Sequence, residues 1–288
     1  MRLLVAMLFA FVLSLSAQER QVEPTWLYRQ VFSLPQRQTD FSTGACHYTA
    51  VFGDGDTEIH YPKNIRRFGE LTVDAHGTCQ PVEYPREEEL FFVLQGKGII
   101  QYGEESHPLA QNDFTYVPPT VRHSFTNSSD EPLRLVLTTV RIPQEKTLSA
   151  PAKLQVANLS QINEQTVEGH PTSVQYKLMI GPRTAKRDRI NAAYTVADFF
   201  LMDFAPAGTN FPHHHEVAEE IYLVLDGEGQ MAAGGGMDGV EGLHHAVAGD
   251  AYYFRQNCTV GFYNQKASAA KAHILAVRVF VPMPQNPD

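Results

Sequence analysis

The chain carries much of its own sequence twice. Gly77, Thr78 and Pro81 recur as Gly208, Thr209 and Pro212, 131 positions further on. At that same distance Glu88 and Glu89 recur as Glu219 and Glu220, Val93 and Leu94 as Val224 and Leu225, and Gly96 and Gly98 as Gly227 and Gly229. Beyond these, Asp113 and Asn127 correspond to Asp250 and Asn264 at a distance of 137, so the second copy holds six extra residues, in the glycine-rich run 234–239. A period this long marks a duplicated domain, not a solenoid unit. Within each copy, short apolar or alternating runs are split by Gly, Pro, Asn and Asp, as in Phe91 to Leu94, Leu133 to Val140, Phe199 to Phe204 and Ile221 to Leu225. These are strand signals with turn punctuation. No long segment keeps a helical period, so the pattern predicts two all-β sandwiches or barrels.

The expected division is 18–150 for the first domain and 151–288 for the second, with the boundary near Pro151. Residues 18–60 form an arm that adds edge strands or packs on the other copy, and Ser160 to Glu164 can open a short helix. With 288 residues, two domains are the default at roughly 100–200 residues each. A net charge of −9 argues against nucleic acid or an anionic membrane as a general partner. Met1-Arg2, the apolar stretch Leu3 to Leu15 and the small residues Ser16-Ala17 resemble a secretory signal peptide, residues 1–17, cleaved after Ala17. The alternative is an uncleaved anchor, although the stretch is short of the about 20 residues a span needs. Cleavage predicts a secreted or periplasmic protein without stable membrane insertion. Export would permit one disulfide among Cys46, Cys79 and Cys258. Which pair forms, if any, stays open.

Residues 213–220 read His-His-His-Glu-Val-Ala-Glu-Glu. In extended chain, side chains alternate, so His213 and His215 point one way and His214 the other. Glu220 follows. Two imidazoles and one carboxylate are the donors that hold Fe(II) or Mn(II) and leave coordination positions open. Tyr222 shares the face of Glu220 and is either a proton donor to bound substrate or a core residue with a satisfied hydroxyl. Arg183, Lys186, Arg187 and Arg189 form a basic cluster that either stays in a solvated loop or steers an acidic substrate at the second copy's mouth.

These residues resemble the cupin superfamily. Gly208, His213, His215, Glu220 and Gly227 follow its first motif, with the Gly-to-His spacing one residue short. In the downstream motif Val260 stands where the family has its fourth ligand, a histidine. The first copy departs in the complementary way: Val82 and Tyr84 occupy the early histidine positions, while Glu89 and the late His123 are kept. The resemblance implies a bicupin of two tandem cupin double-stranded β-helix (jelly-roll) barrels. It implies a divalent metal in the second, Fe or Mn preferred with Zn or Ni as alternatives, held by His213, His215 and Glu220. In the first it implies a hydrogen-bonded Glu89–His123 pair without metal, with Tyr84 filling the vacated space. The leading function is metal-dependent chemistry on a small organic molecule. A quercetin-cleaving dioxygenase is one model, put in doubt by Val260. A ureidoglycine aminohydrolase is a second, with a different ligand set. The rival is a non-catalytic bicupin that binds a sugar, an organic acid or a partner protein. Monomer and homodimer are both compatible.

Overall fold

The computed structural model describes residues 24–235, 241–265 and 270–281. The expected signal peptide, 1–17, and residues 236–239 of the glycine-rich run lie outside the described residues. The first half forms β1 (Trp26–Gln30), β2 (Gln36–Arg37), β3 (Cys46–Gly53), β4 (Ile65–Val73), β5 (Glu87–Gln95), β6 (Lys97–Tyr102), β7 (Glu105–Ala110), β8 (Asp113–Val117), β9 (His123–Thr126) and β10 (Leu133–Arg141). After β11 (Val156–Asn158) and one 3-10 turn, Leu159–Gln161, come β12 (Val174–Pro182), β13 (Ile190–Ala193), β14 (Val196–Phe204), β15 (Ala218–Asp226) and β16 (Glu228–Gly234). The last strands are β17 (Gly242–Val247), β18 (Asp250–Phe254), β19 (Thr259–Asn264) and β20 (Ala272–Phe280). The fold is the expected one, all-β with two jelly rolls in tandem. Each pairs a seven-stranded sheet with a three-stranded one: β11-β8-β5-β10-β4-β3-β2 with β7-β6-β9, and β1-β18-β15-β20-β14-β12-β13 with β17-β16-β19. Each is an open sandwich, since the two sheets are not hydrogen-bonded into one cylinder.

The burial patterns explain why these sequences make these strands. β15 is buried at its first seven positions, AEEIYLV, because one face lines its own jelly roll and the other faces the sister sheet. A strand covered on both sides reads as a continuous apolar run. β17 lies in the outer sheet and alternates between exposed and covered positions over Gly242 to Ala246. Three cores follow: one inside each jelly roll, and one between the large sheets that joins Phe52, Phe68 and Phe92 to Phe199, Ile221 and Tyr253. Gly96 and Gly227 turn at equivalent hairpins with φ +83° and +84°. A Cβ at Gly96 would sit 2.4 Å from the Pro132 carbonyl oxygen.

Within the middle core two carboxylates are fully buried. Glu88 accepts hydrogen bonds from the backbone amides of Tyr194 (2.6 Å), Thr195 (2.7 Å) and Val196 (3.0 Å) and from the Tyr116 hydroxyl (2.9 Å). Glu219 accepts from the amides of Lys63, Asn64 and Ile65, each at 2.8 Å, and from the Tyr253 hydroxyl at 2.8 Å. Each glutamate therefore ties down the start of a strand in the other copy through three amides, and a tyrosine of its own copy gives the fourth bond. Two edge strands are also exchanged. The arm's β1 pairs with β18 of the second copy, and β11, just after the expected boundary, pairs with β8 of the first. The cysteines pair as Cys46–Cys79, and Cys258 is a buried free thiol. The short helix expected at Ser160 appears one residue earlier, as the 3-10 turn capped by Asn158.

Replacing Glu219 with Gln turns one acceptor into an NH2 group facing backbone amides. Leaving such donors unmet costs about 2 kcal/mol. We expect an unfolding free energy lower by that order, read as a lower urea midpoint at unchanged slope, for Glu219→Gln, with Glu88→Gln similar.

Candidate metal centre

The segment before β15 is extended chain, not strand. His213 makes a single bridge to Val260, their backbone groups exchanging bonds of 2.8 and 2.9 Å. That alternation is enough to turn His213 and His215 the same way, with ring centroids 5.0 Å apart, while His214 faces solvent. Glu220 comes from the second turn of alternation in β15 and is 2% exposed. One donor atom from each of His213, His215 and Glu220 lies within 4.8 Å of the others, and among the described residues this is the group of three or more His, Cys, Asp or Glu so arranged.

The surroundings prepare these donors. Phe211 sits at φ +54°, a left-handed conformation uncommon for a bulky side chain. Its carbonyl accepts from His213 Nδ1 at 2.8 Å, so the proton is held there and Nε2 keeps its lone pair. His215 Nε2 lies 3.1 Å from Glu220 Oε2. Burial holds the His213 pKa below its ordinary value. Burial pushes Glu220 upward, but His215 and Arg278 more than offset it and its carboxyl stays below the usual carboxylate value. A neutral imidazole and an ionised carboxylate are the forms that ligate. The donors fit a divalent ion.

The pocket around them has a free volume of about 40 Å³ and is also lined by His170, Tyr176, Arg187, Asp198, Tyr222 and Arg278. Tyr222 is in the wall as expected, buried, and its hydroxyl accepts from the Asn210 amide at 3.0 Å. Burial pushes that hydroxyl well above its ordinary pKa, which makes it a poor acid and a better packing group. Of the basic cluster, Arg187 reaches this pocket and pairs with Asp198. Arg183 instead lies over the Tyr194 ring at 4.6 Å, and Arg189 bonds Gln161. Cys258 is elsewhere, bonded to the Gly234 carbonyl at 3.2 Å. His244 packs against Trp26, with ring centroids 4.3 Å apart.

Three pocket residues were not legible as such. His170 donates from Nδ1 to the Asn210 carbonyl (2.9 Å), its ring 4.9 Å from that of His213. Asp198 and Arg278 belong to β14 and β20, whose register sets Asp198 opposite Arg278 and Arg278 opposite Glu220. The only sequence signal was a charged residue inside an otherwise apolar strand.

In the first copy the equivalent space is built differently. Glu89 and His123 form the expected pair at 2.8 Å, with Thr139 donating to Glu89 at 2.9 Å. Tyr84 does not fill the space alone. Fully buried Phe41, from the arm, packs 5.7 Å from the His123 ring. Asp40 beside it binds Arg67 through two parallel bonds of 3.0 and 3.1 Å and accepts from Tyr84 at 2.7 Å. The bond from the Gln80 amide to the Phe41 carbonyl and the adjacent Cys46–Cys79 disulfide pin this plug.

Comparison with known proteins agrees with this architecture. Residues 69–139 match the family model described as Cupin domain. A protein of Pseudomonas aeruginosa described as glyoxylate-induced superposes with a TM-score of 0.70 at 14% identity, over 94% of this chain and 96% of that one. Ylba from E. coli superposes at 0.65 and 14% identity, over 93% and 97%. A variant of the Bacillus subtilis oxalate decarboxylase superposes at 0.62 and 11% identity, over 90% and 78%. At these identities the likeness is one of fold: the chain has the cupin-type fold across both copies. One curated relative, an uncharacterized protein of Methanocaldococcus jannaschii, is 29% identical over 49 residues. The match spans 17% of this chain and 39% of that protein.

Burial pulls the His123 pKa down, but the charge and hydrogen bond of Glu89 outweigh it and the imidazole stands above its ordinary value. The stabilisation from this pair is therefore complete below about pH 6.5 and is lost as pH rises through the raised value. Between about pH 6 and about pH 9 the wild type should lose thermal stability that His123→Gln does not lose, as followed by calorimetry at both pH values.

Proposed function

We propose that the chain is an exported bicupin that holds one divalent metal in its second jelly roll, through His213, His215 and Glu220, and acts there on a small organic molecule. The observation that carries this reading is the convergence of those three donors in a pocket where His213 is already fixed in the ligating tautomer. Fe(II) or Mn(II) suits two imidazoles and a carboxylate best, with Zn(II) or Ni(II) as alternatives. When bound, the ion would polarise a ligand oxygen and act as a template, or activate O₂ as in a dioxygenase. The protein's own part is positional. Phe211 sets the His213 ring, Arg278 and Asp198 fix the wall beside His215, and His170 borders the pocket next to His213.

The first jelly roll we assign a structural role, because its mouth is filled by Asp40 and Phe41 and its inner pair has two donors in place of three. Export is supported by the Cys46–Cys79 disulfide, since such bonds persist in oxidising compartments. The rival reading, a non-catalytic binding protein, draws its support from the degenerate motifs of both copies, with Val82 and Tyr84 at the early histidine positions and Val260 at that of the fourth ligand.

Elemental analysis of residues 18–288 purified without a His tag tests the site. Near-stoichiometric metal is expected in the wild type, falling to background in the His213→Ala/His215→Ala double variant. Metal retained by the double variant, or none in the wild type after reconstitution, overturns the assignment.

A further inference from the structure

The two jelly rolls place one arginine at the same level beside the inner glutamate, from neighbouring strands. In the first, Arg67 on β4 lies opposite Thr139, which lies opposite Glu89. In the second, Asp198 on β14 lies opposite Arg278, which lies opposite Glu220. What differs is the carboxylate that answers the guanidinium. Arg67 is met by Asp40 from the arm in a bidentate pair, and Tyr84 supports the same carboxylate. Arg278 gives Nε and Nη2 to Asp198. Its Nη1 is left with the His215 ring at 3.3 Å. Asp198 is itself shared with Arg187. Asp198 thus serves two guanidinium groups, while Asp188 stands 3.5 Å from Nε of Arg187.

The formal charges point the same way. Arg187 and Arg278 face Asp188, Asp198 and Glu220, so with neutral imidazoles the cluster carries one negative charge before an ion enters. A divalent ion leaves it one charge positive in a buried wall, where uncompensated charge is costly. A neutral ligand would leave that excess in place, while a carboxylate removes it.

We infer that the ligand of the second jelly roll is a small carboxylate that chelates the metal and pairs with Nη1 of Arg278, in the role that Asp40 plays on Arg67 in the first. This rests on the metal reading given above. The pocket is narrow, at about 40 Å³, and a 2-hydroxy acid is a small carboxylate suited to probing it. Arg187, with its side chain 45% exposed, closes the outer side of the same wall.

The test uses the full mature chain loaded with Mn(II), titrated calorimetrically with glycolate and with its neutral amide, glycolamide. Glycolate should bind, and glycolamide about tenfold more weakly or worse, the loss expected when a charge-assisted bond is replaced by a neutral one. Arg278→Gln should weaken glycolate by about tenfold while elemental analysis finds the metal still present, and Arg278→Lys should recover part of the affinity. Equal binding of glycolate and glycolamide by the metal-loaded wild type overturns the inference without any variant. So does undiminished glycolate binding by Arg278→Gln. If the wild type holds no metal, the reading of the site fails and takes the inference with it, and the elemental analysis separates that case from the others.

Discussion

Glu88 and Glu219 each carry a carboxylate into a buried interface between two sheets, and each finds there three backbone amides and a tyrosine hydroxyl of matching geometry. A buried carboxylate without such donors would be prohibitive, so the two sheets can meet only in the register that supplies them. Because side chains alternate along a strand, this fixes the next residue as well. Glu89 and Glu220 must point the other way, into the jelly rolls. The interface and the inner site are thus set by adjacent residues of one strand in each copy.

From that shared frame the copies diverge at their mouths. The arm gives the first copy Asp40 and Phe41, which satisfy Arg67 and cover His123. In the second copy the segment before β12 brings His170 instead, beside His213. The early histidines that complete a donor set are present in the second copy and replaced by Val82 and Tyr84 in the first. The first copy is plugged and brings two donors together, while the second stays open and brings three together. The disulfide at Cys46 and Cys79 belongs to the plugged half, where it ties the arm to the loop before β5.

Much of this was legible because its cause is local. Repeats, turn glycines and strand runs depend on neighbours in sequence, and alternation places His213 with His215, while the bend at Glu216 and Val217 resets the phase so that Glu220 of β15 faces them. Arg278 and Asp198 were not legible, because only the pairing of β14, β20 and β15 brings them across from Glu220. The exchange of β1 and β11 was hidden for a related reason: a short polar edge strand carries no mark of which copy it joins. The cysteine pairing needed the same long-range register, which sets Cys46 at the start of β3 beside the loop that holds Cys79. Tyr222 was placed correctly in the wall, but its bond to Asn210 depends on a loop whose path no local pattern gives.

The central claim is that one copy holds a metal and the other has given up that role. The most direct measurement is an anomalous difference map from crystals of the mature chain, collected at the absorption edge of the metal it co-purifies with. The account predicts one peak per chain, among His213 Nε2, His215 Nε2 and the Glu220 carboxylate, and none between Glu89 and His123. A peak in the first jelly roll, or an empty second one in protein that carries metal, would contradict it.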